Sequence, residues 1–178
     1  MNLFVIRHGQ TEWNVLKKMQ GLADIPLNNN GIKQANEVKK KFDELDIDLI
    51  YCSPLIRAKQ TAEIINKNKK LNIIFDDRLK ERNYGEFEGI NKSTFNYNEF
   101  WAYRKNIHYK EAENIQDFFE RINVFLQELK YNYSDKNILI VTHAGVLKAI
   151  ECNIKGLMND EDIGLYLPDN GKIIEYNL

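Results

Sequence analysis

Two of the three histidines in this chain stand in short segments that also carry glycine, Arg7-His8-Gly9 and His143-Ala144-Gly145. A neutral imidazole is a competent nucleophile toward phosphorus because its pKa lies near neutrality. Arg7, next to His8, carries a permanent charge whose planar fork matches phosphate oxygens with two parallel hydrogen bonds. Arg57 follows Ser53-Pro54 in what reads as the first turn of a helix, where the positive helix end already favours an anion. His143 opens a second helix, whose first backbone N–H groups are free to meet an oxyanion. Each residue also has an ordinary reading: His8 as a hydrogen-bonded structural residue, Arg7 as an ion-pair partner, Arg57 as a solvated helix residue, His143 as a capped core histidine. Taken together, two guanidiniums and two imidazoles make a pocket for a dianionic phosphoryl group, able to hold its three equatorial oxygens as charge spreads in the transition state. The chain has no GxxxxGK[ST] loop and no carboxylate-rich loop suited to Mg²⁺, so the positive charge is expected from side chains, with no metal and no cofactor.

These residues need elements to position them. Residues 3–6 form a short apolar, β-branched run that reads as a buried strand. Residues 28–31 (Asn-Asn-Asn-Gly) read as a turn, followed by a helix with Ile32, Ala35, Val38, Phe42 and Leu45 at helical spacing. Residues 48–52 read as a second strand. Ser53 then reads as an N-cap with Pro54 at the first helical position, the helix running to about residue 66 with Ala58, Thr61, Ala62 and Ile65 inward. Residues 71–75 read as a third strand. An irregular aromatic stretch follows, and then a helix marked by Ile115, Phe118, Phe119, Ile122, Leu126 and Leu129. Residues 137–142 (NILIVT) read as a buried strand and residues 144–153 as the next helix. Residues 163–167 and 172–176 read as closing strands around a turn at 168–171.

Strands alternating with helices predict a three-layer α/β/α sandwich with a central, mostly parallel sheet. In such sheets the ligand crevice lies at the carboxyl ends of the strands. His8, Arg57 and His143 all fall just after predicted strands, where that rule puts the chemistry. The chain has 178 residues, enough for one domain, and 43% hydrophobic against 29% charged residues, ordinary for a globular core. With 25 Lys and Arg against 26 Asp and Glu the net charge is −1, so no global field draws it to nucleic acid or an anionic membrane. No apolar run approaches the roughly 20 residues that span a bilayer, and the start has no signal-peptide pattern; a cytoplasmic location is expected. Cys52 and Cys152 form no metal-ligand spacing and read as buried reduced thiols.

The ordered motifs resemble those of the histidine phosphatase superfamily, the group that includes cofactor-dependent phosphoglycerate mutases. Arg7-His8-Gly9-Gln10-Thr11-Glu12-Trp13-Asn14 is similar to its RHGxTxxN signature. Gln20-Gly21 with Asp24-Ile25-Pro26-Leu27 and Gly31 is similar to QGxxDxPLxxxG. The segments starting at Ser53 (SPLIRAKQTA), Leu79 (LKERNYGEFEG) and Val141 (VTHAG) resemble SPLxRAxQTA, LxExxxGxxEG and VTHGG. The resemblance implies that His8 carries the phosphoryl group and that Arg7, Arg57 and His143 complete the phosphate pocket. It implies that Glu81 gives a proton to the leaving oxygen and later takes one from water, a service worth about 10²–10⁴-fold. Asn14, Gln20, Gly21, Tyr84 and Ala144 would line the substrate side, with Trp13 at the rim. Glu86 and Glu88 are rival acids read as mainly structural. Two departures stand out: Ala112-Glu113-Asn114 replaces a common Gly-Glu-Ser and is expected to alter a contact at the mouth, and Ala144 replaces a common Gly.

Residues 90–112 are expected to form a small helical lid within a single domain spanning 1–178. The lid carries Phe95, Tyr97, Phe100, Trp101, Tyr103 and Tyr109, which either pack it onto the sheet or contact an organic substrate. Its bases are Lys92, Arg104, Lys105 and Lys110, with no adjacent arginine pair to hold a second phosphate. That favours hydrolysis of a small phosphomonoester, with α-ribazole phosphatase and broad-specificity monoester phosphatase as the expected types. A bisphosphate-primed mutase and a non-catalytic phospho-ligand binder are the alternatives. The expected partner is a small phosphorylated metabolite, with no nucleic acid and no membrane; a homodimer is left open.

Overall fold

The computed structural model describes residues 1–177. Its sheet has five strands in the order β3-β2-β4-β1-β5. Strands β1 (Asn2–Arg7), β2 (Leu49–Cys52), β3 (Ile73–Phe75) and β4 (Asn137–Thr142) run parallel, and β5 (Ile173–Asn177) closes the edge antiparallel to β1. Alternation along the central strands builds two separate apolar layers. Leu3, Val5, Ile138 and Ile140 face α5 (Ile115–Asn132) and α6 (Ala144–Lys155). Phe4, Ile6, Leu139 and Val141 face α2 (Asn29–Glu44) and α3 (Ile56–Ile65), with Phe42, Ala58 and Ile65 against them. Fully burying each Ile, Leu or Phe contributes about 1.5–3 kcal/mol, so these two layers are what hold the strand ends in place. Two short helices, α1 (Glu12–Val15) and α4 (Tyr97–Phe100), fall in the connections after β1 and after β3, and α7 (Asp160–Leu165) precedes β5. No helix among the described residues is long and apolar enough to cross a membrane.

Register places the three strand ends together. Arg7 is paired with Thr142 and Cys52 with Val141. The ladder then continues one residue further, with His8 N–H donating to the Thr142 carbonyl at 2.9 Å and Ser53 N–H to the Val141 carbonyl at 3.0 Å. His8, His143 and Ser53 therefore leave the sheet side by side.

Three local expectations are corrected. Residues 28–31 are not a free turn: Asn28 is the N-cap of α2, its side chain accepting the Gly31 N–H at 2.8 Å, and the helix is already under way. Ile32 is consequently exposed while Gly31 faces inward, and Leu45 is the C-cap, half-buried against the core. Ser53 does not cap α3; the N-cap is Leu55, without a side-chain bond, and the Ser53 hydroxyl is used elsewhere. Residues 163–167 are not a strand: Asn159 caps α7 through the Asp162 N–H, and Asp160, Glu161 and Asp162 fill its first turn, where the helix dipole favours acids.

Gly31 is required by close approach. A Cβ on it would lie 2.1 Å from the Gln10 carbonyl oxygen, and a Cβ on Gly9 2.5 Å from the Gly31 oxygen, so the loop carrying His8 rests directly on the first turn of α2. Ala in place of Gly inside an open helix normally stabilises by about 0.5–1 kcal/mol. Here Gly31→Ala is expected to do the reverse, losing about 1–3 kcal/mol through overpacking, read as a lower urea midpoint.

Candidate active site

The His8 side chain is fixed by its own loop. Its Nδ1 lies 2.7 Å from the Gly9 carbonyl oxygen. A carbonyl only accepts, so the proton must sit on Nδ1 and the lone pair on Nε2. Burial, reinforced by the charges of Arg57 and Arg7, holds His8 well below the ordinary histidine pKa. The ring is therefore neutral at pH 7, with a defined nucleophilic nitrogen. Gly9 in turn donates its N–H to Thr61 Oγ1 at 3.0 Å, and Asn170 Nδ2 donates to the His8 carbonyl at 2.7 Å.

His143 is 0% exposed and stands against His8 with ring centroids 5.2 Å apart and planes tilted by 58°. Its Nε2 lies 2.7 Å from Ser53 Oγ, and its Nδ1 is buried without a partner. Burial, then Arg57 and His8, push its pKa well down too.

Arg57 is 0% exposed; Nη1 donates to the Ala23 carbonyl at 2.7 Å and Nη2 to the Gly21 carbonyl at 2.8 Å. Arg7 is nearly as buried, with Nη1 donating to the Pro168 carbonyl at 2.7 Å. Burial lowers Arg57 to about 10, opposed by Glu81, and lowers Arg7 for the same reason; both stay charged at pH 7. The Nε atom of each guanidinium is buried without a hydrogen-bond partner. An orphan buried donor is expensive. Two such donors, Arg7 Nε and Arg57 Nε, are what an oxyanion would satisfy, and His143 Nδ1 is a third buried nitrogen without a partner.

Glu81 follows a 3-10 turn at residues 77–79 and is 5% exposed. Its two carboxylate oxygens accept the Arg82 N–H at 3.0 Å and the Gly145 N–H at 2.9 Å. A Cβ on Gly145 would lie 2.1 Å from Glu81 Oε1 and 2.6 Å from the Trp101 ring, so both side chains would have to shift. The segment carrying Glu81 is clamped from behind by Arg121, which donates to the Arg78, Lys80 and Glu81 carbonyls and pairs with Glu113 at 2.6 Å. Arg82 donates to the Glu113 and Phe100 carbonyls and stacks 4.2 Å from the Phe100 ring, tying α4 to the same segment. The Ala112-Glu113-Asn114 departure thus lies in this clamp: Glu113 also accepts the Asn83 N–H, and Asn114 caps α5. None of the three residues lines the cavity.

Arg7, His8, Asn14, Gln20, Arg57, Glu81, Tyr84 and Ala144 line one cavity of about 230 Å³. Gly21 does not line it; its carbonyl holds Arg57 instead. Asn14 does double service: its Oδ1 accepts the Thr11 N–H at 3.0 Å in a capping box, which leaves its Nδ2 donors for a ligand. Ala144 is the first helical residue of α6, where a methyl group is tolerated. Glu88 accepts the Leu22 N–H and Glu86 is exposed, and neither lines the cavity. Of the aromatics at 90–112 only Tyr97 lines it; Phe95, Phe100, Trp101, Tyr103 and Tyr109 pack on Phe87, Tyr84, Phe118 and Phe119. His108 is exposed beside Asn114.

The mouth carries groups that sequence reasoning did not single out. Lys17 and Lys18 join Lys92 at its edge, with Lys18 Nζ 5.6 Å from the Trp13 ring centroid. Leu167 and Asn170 form another wall. Ser53 was visible only as a helix cap, and Asn170 only as part of a turn; their contacts with His143 and His8 span 90 and 162 residues, so no local pattern announces them. Among the described residues, no group of three or more His, Cys, Asp or Glu is placed to hold a metal ion.

A mostly parallel sheet between two helical layers, with paired histidines and buried arginines at its strand ends, defines a phosphoryl-handling α/β protein. The chain belongs to the histidine phosphatase superfamily (branch 1), which it matches over residues 3–177. It is 38% identical over 154 residues, 85% of this chain and 76% of the relative, to a Bacillus subtilis protein named uncharacterized phosphatase PhoE. It is 32% identical over 163 residues, 88% of this chain and 76% of the relative, to an Escherichia coli protein named "Probable phosphoglycerate mutase GpmB". Its fold is similar, with a TM-score of 0.86 and 30% identity over 98% of this chain and 89% of the other, to a phosphoserine phosphatase mutant from Entamoeba histolytica in complex with phosphoserine.

The orphan donors predict that inorganic phosphate or orthovanadate stabilises the protein. At about a hundredfold excess over Kd the gain is about 2.7 kcal/mol, seen as a rise in Tm. Arg57→Met is expected to abolish that rise.

Proposed function

We propose that this protein is a phosphatase that hydrolyses small phosphomonoesters through a phosphohistidine on His8, without a metal. The single observation that carries this is a neutral, Nδ1-protonated His8 that shares one cavity with Arg7 and Arg57, whose Nε atoms are buried without a partner, and that stands against His143. In the first step the Nε2 lone pair attacks phosphorus and the bond to the ester oxygen breaks. Arg7, Arg57 and His143 hold the equatorial oxygens, Asn14 and Gln20 steady the group, and Glu81 gives its proton to the departing oxygen. In the second, water gives a proton to Glu81 and attacks phosphorus, the N–P bond breaks, and inorganic phosphate leaves. Tyr84, Tyr97 and Ala144 shape the side occupied by the leaving group. In this reading residues 1–178 are one domain with 90–112 as its lid, acting in the cytoplasm, where the two buried free thiols suit reducing conditions.

The mutase alternative needs basic residues in the lid to hold a second phosphate. Arg104 is instead engaged with Asp160 and the Met158 carbonyl, and Lys105 with Glu99. Only Lys92 of the lid's bases reaches the cavity. With Lys17 and Lys18 it makes a cationic rim suited to a leaving group that carries its own anion, such as a carboxylate. The relative solved with phosphoserine supports that choice.

Phosphate release across a panel that includes phosphoserine, α-ribazole 5′-phosphate and p-nitrophenyl phosphate, with EDTA present, tests the proposal. Activity is expected to survive the chelator and vanish in His8→Ala; strict dependence on added divalent metal contradicts it. Glu81→Gln should slow poor leaving groups far more than p-nitrophenolate, which needs little protonation. Lys92→Met should raise KM for carboxylate-bearing esters about tenfold or more, the size of a lost charged hydrogen bond, and leave p-nitrophenyl phosphate nearly unchanged.

A further inference from the structure

Behind the site, α6 carries a lysine that the phosphoryl-transfer steps do not use. Lys148 is 0% exposed, one turn beyond the cavity-lining Ala144. Its Nζ donates to the carbonyls of Ile163, Gly164 and Tyr166 and lies 5.1 Å from the Trp101 ring centroid. Those carbonyls belong to the C-terminal end of α7, the negative end of a helix dipole. An ammonium has three donors, and here each has one acceptor; a neutral amine has only two.

The chain leaving this clamp goes straight to the reacting groups. Leu167 lines the cavity. The Pro168 carbonyl accepts Arg7 Nη1, Asn170 holds the His8 carbonyl, and Gly171 N–H donates to the Arg7 carbonyl at 3.1 Å. Residues 163–171 are therefore a strap, anchored at one end by Lys148 and at the other by the pairing of β5 with β1. Between the anchors it touches Arg7 and His8. Trp101, under the ammonium, follows the lid helix α4, so the same charge also sits at the junction of strap and lid.

We propose that Lys148 is a positioning residue: its protonated amine holds the 163–171 strap, and the strap sets Arg7 and the His8 loop for the phosphoryl group. The inference rests on the hydrolytic reading given above. Burial pushes Lys148 down to about 7, with Glu81 and Cys152 raising it and Arg7 and Lys92 lowering it. The three carbonyls and the indole face oppose that push, because each favours the charged form. The clamp is complete when Lys148 is protonated and loses a donor as pH rises through its titration, so activity falls on the alkaline side, at or above pH 7.

The test compares wild type with Lys148→Met and Lys148→Arg, using kcat/KM for p-nitrophenyl phosphate from pH 6 to 10, orthovanadate affinity by calorimetry, and Tm. Methionine fills the space without charge and leaves three carbonyls unpaired. It is expected to lower kcat/KM and weaken vanadate by on the order of ten- to a hundredfold, the scale of a misplaced binding group. Arginine keeps a charge that does not titrate in this range; it should restore most of both losses and move the alkaline limb upward. A folded Lys148→Met with wild-type kcat/KM, vanadate affinity and pH limb overturns the inference. If that variant does not fold, an alkaline limb in Lys148→Arg identical to wild type overturns it as well. A wild type that releases phosphate from no ester sinks the parent reading, and vanadate affinity still judges Lys148 in that case.

Discussion

Two guanidiniums are buried beside two imidazoles with no carboxylate paired to either of them among the described residues. Taking such ions out of water costs several kcal/mol each even after relaxation. Backbone carbonyls of Ala23, Gly21 and Pro168 meet part of that cost and leave one edge of each guanidinium unsatisfied. The rest of the molecule is arranged around this unmet positive charge. Burial, reinforced by this charge, keeps both histidines neutral, since a protonated imidazole would add a third like charge to the pocket. It makes an incoming dianion the missing partner, held by groups that need not reorganise as charge spreads.

The sheet makes this arrangement affordable. Parallel pairing of β1, β4 and β2 brings the ends of three strands to one edge, and their cores are dry on both faces. Helix α3 starts where β2 stops, which places Arg57 over the cavity, and α6 starts where β4 stops, which presents Gly145 N–H to Glu81. Glu81 is thus fixed by the same helix start that carries His143. Arg121 and Arg82 secure it from the other side by gripping carbonyls, so the position of Glu81 depends on α5 and on the end of α4.

Much of this was legible in the sequence because it is local. The NILIVT run, the α5 periodicity from Ile115 and the glycine-bearing histidine segments each carry their meaning within a few residues, and Arg7, His8, Arg57, Glu81 and His143 do converge. What was illegible depends on distant partners or on caps. Ser53 resembles an N-cap until register sets it beside His143. The 163–167 stretch alternates like a strand, yet the Asn159 cap and three acids at its start turn it into α7. Gly21 takes a φ of 50°, and a Cβ on it would lie 2.2 Å from Glu88 Oε1, while its carbonyl holds Arg57; none of these is revealed by spacing. Most of the lid aromatics were decided by packing on Phe87 and Phe118, which only the folded chain displays.

The central claim is that the Gly9 carbonyl chooses which nitrogen of His8 reacts. Rapid quenching during turnover of a radiolabelled ester, followed by peptide mapping and regiochemical assignment, tests it most directly. The account predicts an acid-labile, base-stable phosphoryl group on Nε2 of His8, formed and lost at the rate of phosphate release. Label on Nδ1, on another residue, or nowhere on a protein that is releasing phosphate would contradict it.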